Sequence, residues 1–180
     1  KKERSTLTAR DWERGALEMI AEQGVTALAV EPLARRMGIT KGSFYSHFKD
    51  KDELLNRVIE FWSVEQPQQV KAEIESYEGS GLEKLDQLAR VVHERQLSKR
   101  DVAIREWARF DKRCAKALEA ADQASFKLIG KYLSQANPDM PSEHIDNLAR
   151  LIFVAGVGAR VAPWIGKQLK WQDVRDIFSS

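Results

Sequence analysis

The sequence contains one cysteine, Cys114, which excludes an intramolecular disulfide and a Cys-based zinc cluster and suits a reducing compartment. Its three histidines, at 47, 93 and 144, are too scattered for a metal-ligand spacing, so no metal and no cofactor is expected. No apolar run approaches the roughly 20 residues of a membrane span, and the opening KKERSTLTARDWERG has no apolar centre for a signal peptide. A cytoplasmic protein without a membrane partner is the default expectation. The chain starts at Lys1 without an initiating Met and is read as part of a longer polypeptide. There is no nucleophile elbow and no Cys–His pairing, so an enzyme would lack visible machinery. Threonine occurs four times, and no segment alternates apolar and polar residues for long, which argues against strands.

What is present is helical in character. Twenty alanines and sixteen leucines dominate, with glycine and proline mostly at segment ends. At 180 residues, 43% hydrophobic and 31% charged, the chain can form one generous domain or a small module joined to a larger one. Ala9, Ala16, Leu17, Ile20 and Ala21 share a stripe, and Gly24 follows, which predicts a first helix at about 9–23. VEPLARRMG, with Pro32 in the first turn and Gly38 after the last, predicts a short second helix. Thr40 is placed to cap a third, KGSFYSHF, and Asp50 with Glu53 forms a capping box for a fourth through Leu54, Val58 and Trp62. Pro67 should kink or restart the chain before Val70. Helices are expected at 82–97, 101–109, 112–136, 142–165 and 171–178.

Two short helices joined by Gly38-Ile39-Thr40 are the pattern of a helix-turn-helix, whose second helix enters the major groove. The charge map agrees. The overall +2 says little, but residues 1–49 hold nine basic and six acidic groups, and residues 50–180 hold twenty and twenty-one. From Arg35 to Lys49 there are Arg35, Arg36, Lys41 and Lys49 and no acidic residue. The positive excess therefore resides in the N-terminal module, as phosphate binding requires.

The run GITKGSFYSHFKDKDELL, with Leu17, Ile20, Gly24, Leu33, Ala34 and Gly38 upstream, resembles the signature of the TetR-type transcriptional regulators over most of residues 9–57. The resemblance implies an all-α fold: an N-terminal three-helix DNA-binding module at 1–50, a linking helix at about 50–65, and a ligand-binding and dimerisation domain in 51–180. It further implies that Lys41, Gly42, Ser43 and Tyr45 face DNA, that Thr40 bonds a phosphate while capping its helix, and that Tyr45, Ser46, His47 and Lys51 lie along the backbone. Phe44 and Phe48, four residues apart, belong instead to the core, with Leu33 and Leu54 as partners. Two departures weaken backbone contact: Ala29 and Val30 stand where the family often has a capping hydroxyl, and Ser46 stands where it often has Tyr or Trp.

The remainder matches that family only in layout. Trp62, Trp107, Phe110 and Phe126, with Arg105 and His93, are candidates for a small-molecule effector pocket, although aromatics at helical spacing are more often core. Along 142–165 two apolar stripes coexist, one through Ile145, Leu148, Ile152, Ala155 and Ala159, the other through Leu151, Val154, Gly158, Val161 and Ile165. One should pack on its own chain and the other on a second copy, with Ala155, Gly156 and Ala159 allowing close crossing. Ile145, Leu148, Ile152, Ala155, Ala159 and Trp164 are the candidate dimer contacts, supplemented by Trp171 and Phe178. The expected function is a homodimeric regulator that binds a palindromic double-stranded DNA operator as a repressor released by an effector. The alternative is a regulator with no small-molecule effector, constitutive or controlled by a protein partner.

Overall fold

The computed structural model describes residues 7–166, with side chains as far as Trp164. Every regular element among the described residues is helical, as the composition predicts. The chain divides into two compact units, one formed by the residues up to Gln66 together with Lys99–Leu118, the other by Pro67–Ser98 together with the residues from Glu119 onward. Beyond residue 50 the first unit takes in the whole fourth helix and a segment from the middle of the chain.

In the first unit, α1 (Ala9–Gln23) starts on a capping box in which the Asp11 N–H meets the Thr8 hydroxyl and the Thr8 N–H donates to the Asp11 carboxylate. A single 3-10 turn, Val25–Ala27, leads to α2 (Val30–Arg36), then α3 (Lys41–Phe44) and α4 (Lys51–Glu60). The core of these helices includes Trp12, Leu17, Ile20, Leu33, Phe44 and Leu54, all at most 1% exposed. α4 starts on Asp50, whose carboxylate accepts the Glu53 N–H at 2.9 Å. The reciprocal half of the expected box is shifted by one residue, because the Glu53 carboxylate accepts from the Lys49 N–H at 2.6 Å.

Helical structure continues without interruption through Pro67. This residue has no N–H to offer one turn back. The chain widens before it into a π turn, Phe61–Glu65, with the Gln66 N–H reaching the Phe61 carbonyl, and α5 (Gln66–Ser76) then continues.

The second unit contains α5, α6 (Gly81–Glu94), most of α8 (Lys112–Ala136), α9 (Ser142–Val161) and α10 (Pro163–Gly166). Its core gathers Ile74, Leu85, Val91, Ile129, Tyr132 and Leu133. α6 begins on a Ser80–Glu83 capping box at Gly81, where α8 passes so close that a Cβ would lie 1.9 Å from the Tyr132 carbonyl oxygen. Only glycine permits that crossing. α6 stops at Glu94 and α7 (Leu97–Ala108) begins three residues later, whereas the sequence predicts a first helix to 97 and a second from 101. The turn depends on Gln96 in the left-handed region at φ 51°, a conformation that neither glycine nor proline announces. α9 ends at Val161, short of the expected 165, because Pro163 cannot extend the ladder. The predicted helix at 171–178, with Trp171 and Phe178, lies outside the described residues.

α8 opens in the first unit on Asp111, whose carboxylate accepts the N–H groups of Arg113 and Cys114 at 2.9 and 3.4 Å. The Arg113 side chain above all, then desolvation in the opposite sense, then these backbone donors set the Asp111 carboxyl, which falls to about 2. Its contribution to stability is present above the ordinary carboxylate range and is lost as pH falls towards 2. Burial, and secondarily the Asp111 charge, push the Cys114 thiol up to about 12, and its Sγ lies 3.6 Å from the Ile104 carbonyl oxygen. The folded protein is therefore expected not to react with a thiol-alkylating reagent at pH 8, whereas the urea-unfolded chain reacts readily. Mass spectrometry of the folded and unfolded samples checks this; rapid labelling of the folded chain would contradict it.

No helix among the described residues is long and apolar enough to cross a membrane.

Candidate nucleic-acid interface

The turn between α2 and α3 is built by backbone chemistry. At the end of α2 the Gly38 N–H bonds the Arg35 carbonyl at 3.1 Å and the Ile39 N–H bonds the Ala34 carbonyl at 3.0 Å, a Schellman closure. That closure needs a left-handed residue, and Gly38 supplies it at φ 69°. Thr40 then occupies the N-cap position of α3 with extended backbone, but its side chain makes no capping hydrogen bond, contrary to the sequence expectation. The hydroxyl of Thr40 stays at the surface. Ala29, at the N-cap of α2, likewise makes no side-chain cap.

Burial alternates sharply along α3 and the loop after it. Phe44 and Phe48 are 0% and 3% exposed and stack with ring centroids 5.3 Å apart. Trp12 of α1 meets Phe44 edge-on at 5.3 Å, a core partner that the sequence reading did not name beside Leu33 and Leu54. Lys41, Gly42, Tyr45 and Ser46 are exposed, and Ser43, His47 and Lys51 are half-buried. Tyr45 keeps its ring edge against Phe44 at 5.2 Å and is 57% exposed. Among the described residues a Cβ on Gly42 would meet the Thr40 hydroxyl oxygen alone, at 3.8 Å, so none of them demands glycine there.

The basic run is divided between structure and surface. Arg36 forms a two-pronged ion pair with Glu22 of α1, at 2.5 and 2.8 Å, and so ties α2 to α1. Arg35 pairs on its own helix with Glu31 at 3.5 Å, and both side chains are well exposed.

The helices behind this face are fixed by charges that sequence reasoning missed. Glu13 of α1 is 1% exposed and accepts from Arg10 at 2.6 Å and from Arg57 of α4 at 3.1 Å. Arg10 also pairs with Glu65 in the π turn, and its guanidinium lies 4.9 Å from the Phe61 ring centroid. Arg57 further bonds Glu60 at 2.6 Å. A buried carboxylate is tolerated because two guanidinium groups answer it. The sequence signal existed: Glu13 stands at helical spacing with Leu17 and Ile20, on the apolar stripe.

The six residues considered for an effector pocket do not fall in one unit. Trp62, Arg105, Trp107 and Phe110 belong to the first, and His93 and Phe126 to the second. Trp62 and Trp107 are buried and Arg105 is half-buried, donating to Asp101 at 2.9 Å. Phe110, in the connector after α7, is 82% exposed, and His93, in the last turn of α6, is also exposed. Phe126 is half-buried, with the Arg150 guanidinium 5.7 Å from its ring centroid.

On α9 the two stripes differ in burial within the subunit, and two of the expected dimer contacts, Ile145 and Leu148, lie in the subunit's own core. Ile145 and Leu148 are buried in the core of their own unit, with Ile152 packed against it, because α8 and α6 already cover that side. Ala155 and Ala159 are half-buried. The second stripe is open: Leu151 and Val154 are each 60% exposed and Val161 56%, while Trp164, on α10, is 72% exposed.

The sequence model described as "Bacterial regulatory proteins, tetR family" matches residues 14–58. The HTH-type transcriptional regulator AcrR of Shigella flexneri is 38% identical over 45 residues, which are 25% of this chain and 21% of that protein. The uncharacterized HTH-type transcriptional regulator YerO of Bacillus subtilis is 36% identical over 47 residues, 26% of this chain and 16% of that protein. The match thus spans about a fifth of these relatives' length. Among solved structures, regulatory protein TetR from Rhodobacter sphaeroides superposes with a TM-score of 0.70 at 19% identity, covering 86% of this chain and 87% of that one. That likeness is one of fold.

Proposed function

We propose, from the premise that the chain is of TetR type, with a tetR-family module at residues 14–58 and the helical fold of a TetR regulator, that it is a transcriptional regulator binding double-stranded DNA as a homodimer. The observation that carries this reading is the division of α3 and its following loop. Phe44 and Phe48 hold the segment in the core, while Lys41, Gly42, Tyr45 and Ser46 are exposed, Tyr45 resting one ring edge on Phe44. A glycine that the fold does not require, on the face that would meet DNA, is what close backbone approach to a groove needs. Thr40 and Ser43 offer hydroxyls on the same face, and His47 and Lys51 flank it as backbone contacts. Such a protein works where the DNA is, in the cytoplasm, and the reading assigns it no catalysis.

Two recognition helices on a two-fold axis match two half-sites about one turn, or a multiple of it, apart. The open stripe of α9, together with Trp164 of α10, is the surface we assign to the second copy. Leu151, Val154, Val161 and Trp164 are large, apolar and more than half exposed, a combination that water does not favour.

Release by a small-molecule effector belongs to the same reading and rests on the TetR type alone. Its physical requirement is linkage: a ligand that prefers the state with wrongly spaced recognition helices weakens operator binding by the same factor as DNA weakens the ligand.

The test separates base from backbone contact. Lys41→Ala is expected to lose about 1–3 kcal/mol of discrimination at one base position. Lys51→Ala should weaken all duplexes alike and reduce the salt slope by about 1. Titrations of both variants against a set of single-base operator variants, at several salt concentrations, make the comparison. Indistinguishable behaviour of the two would overturn the role assignment.

A further inference from the structure

The segment Lys99–Leu118 groups with the DNA-binding helices although it lies far along the chain from them. It is fastened at two points. Arg100 of α7 pairs with Glu18 of α1. Arg113, in the first turn of α8, donates through Nη1 to Asp52 Oδ2 at 2.9 Å and to Asn56 Oδ1 at 2.7 Å, both on α4 and 61 and 57 residues away. Asp52 and Asn56 are four apart and so present one face of α4.

The guanidinium is held from behind as well. Asp111 accepts its Nε at 3.2 Å and its Nη2 at 2.8 Å, while the same carboxylate caps α8. The planar fork is thereby oriented by α8 before it reaches α4. With side chains 44% and 65% exposed, the Arg113–Asp52 pair adds little to stability. What the fork supplies is geometry.

That geometry bears on the outward face. Asp52 follows Lys51 directly, and only residues 45–50 separate α3 from α4. We propose that Arg113 is a positioning residue for DNA recognition, holding the first turn of α4 through Asp52 and Asn56 and so fixing where Lys51 stands relative to Lys41 and Tyr45. The assignment rests on the reading of the chain as a DNA-binding regulator.

The experiment turns on a sign. Asp52 is an anion beside the proposed phosphate contacts, so if charge alone mattered, Asp52→Asn would tighten every duplex. Positioning demands the opposite for the specific site. The probes are a duplex recovered by the wild-type chain from a random-sequence pool and a scrambled duplex of the same composition. Asp52→Asn is expected to weaken the selected duplex about tenfold while leaving the scrambled one unweakened. Arg113→Ala should lose a similar factor on the selected duplex, and the double variant should be no worse than the poorer single one. Arg113→Lys keeps the charge but not the fork, so it should retain scrambled-duplex affinity and still lose the preference.

Tightening of both duplexes by Asp52→Asn, or an unchanged preference in Arg113→Lys, overturns the assignment alone. A wild-type chain that prefers no duplex over its scrambled form overturns the functional reading and the assignment with it.

Discussion

Phe44→Ala is expected to destabilise the first unit by about 4 kcal/mol, while Tyr45→Ala, its neighbour, changes stability by no more than about 0.5 kcal/mol. Phe44 is 0% exposed and fills the space between α3 and α1, stacked on Phe48 and met edge-on by Trp12. Truncation removes the transfer free energy of a whole ring and leaves a cavity, and it forfeits an aromatic pair worth about 0.5–1.5 kcal/mol beyond its area. α3 has four residues and no side-chain cap, so it has little helical stability of its own to set against that loss. Tyr45 rests only one edge on Phe44 and turns the rest outward. Its removal should therefore appear in DNA affinity and not in urea denaturation. Equal denaturation midpoints for Phe44→Ala and wild type would refute the packing account, and a large loss of stability in Tyr45→Ala would refute the partition of the two faces.

The second large effect concerns assembly. Replacing Leu151 and Val154 together by glutamate should convert the proposed dimer to a monomer and weaken binding to a two-half-site duplex by about 100-fold or more, because the second half-site is no longer held at high effective concentration. Both side chains are 60% exposed, so the substitutions cost the isolated subunit little. Two carboxylates on each copy, brought into a shared apolar face, would be desolvated without partners. A matching change at Ile145 and Leu148 would instead unfold the second unit, since these residues lie in its own core. Sedimentation velocity gives the mass and titration gives the affinity. A Leu151→Glu/Val154→Glu variant that remains dimeric would place the contact elsewhere.

Much of the first unit was legible because its signals are local. The stripe from Ala16 to Ile20, Gly38 after α2, and Asp50 before Glu53 each act within one or two turns. The outward and inward faces of α3 were legible for the same reason, since Phe44 and Phe48 share a side. Thr40 shows the limit of such reading: the residue is at the expected position, yet its hydroxyl caps nothing. The turn at Gln96 had no signal, because a non-glycine residue adopts the left-handed region only when the surrounding helices impose it.

The sequence by itself determined that the chain is helical, that its positive excess lies in residues 1–49, and that Phe44 and Phe48 face inward. These follow from propensity, capping and a 3.6-residue period, which act over a few residues. Tertiary structure decided everything that depends on which surfaces meet. It assigned Ile145 and Leu148 to their own core and left Leu151 and Val154 open, although periodicity marks the two stripes of α9 alike. It exposed Phe110 and His93, buried Glu13 between two arginines, and carried Arg113 to Asp52 across 61 residues. A helix face announces that it is apolar or charged, but not its partner, because the partner is chosen by packing between segments distant in the chain.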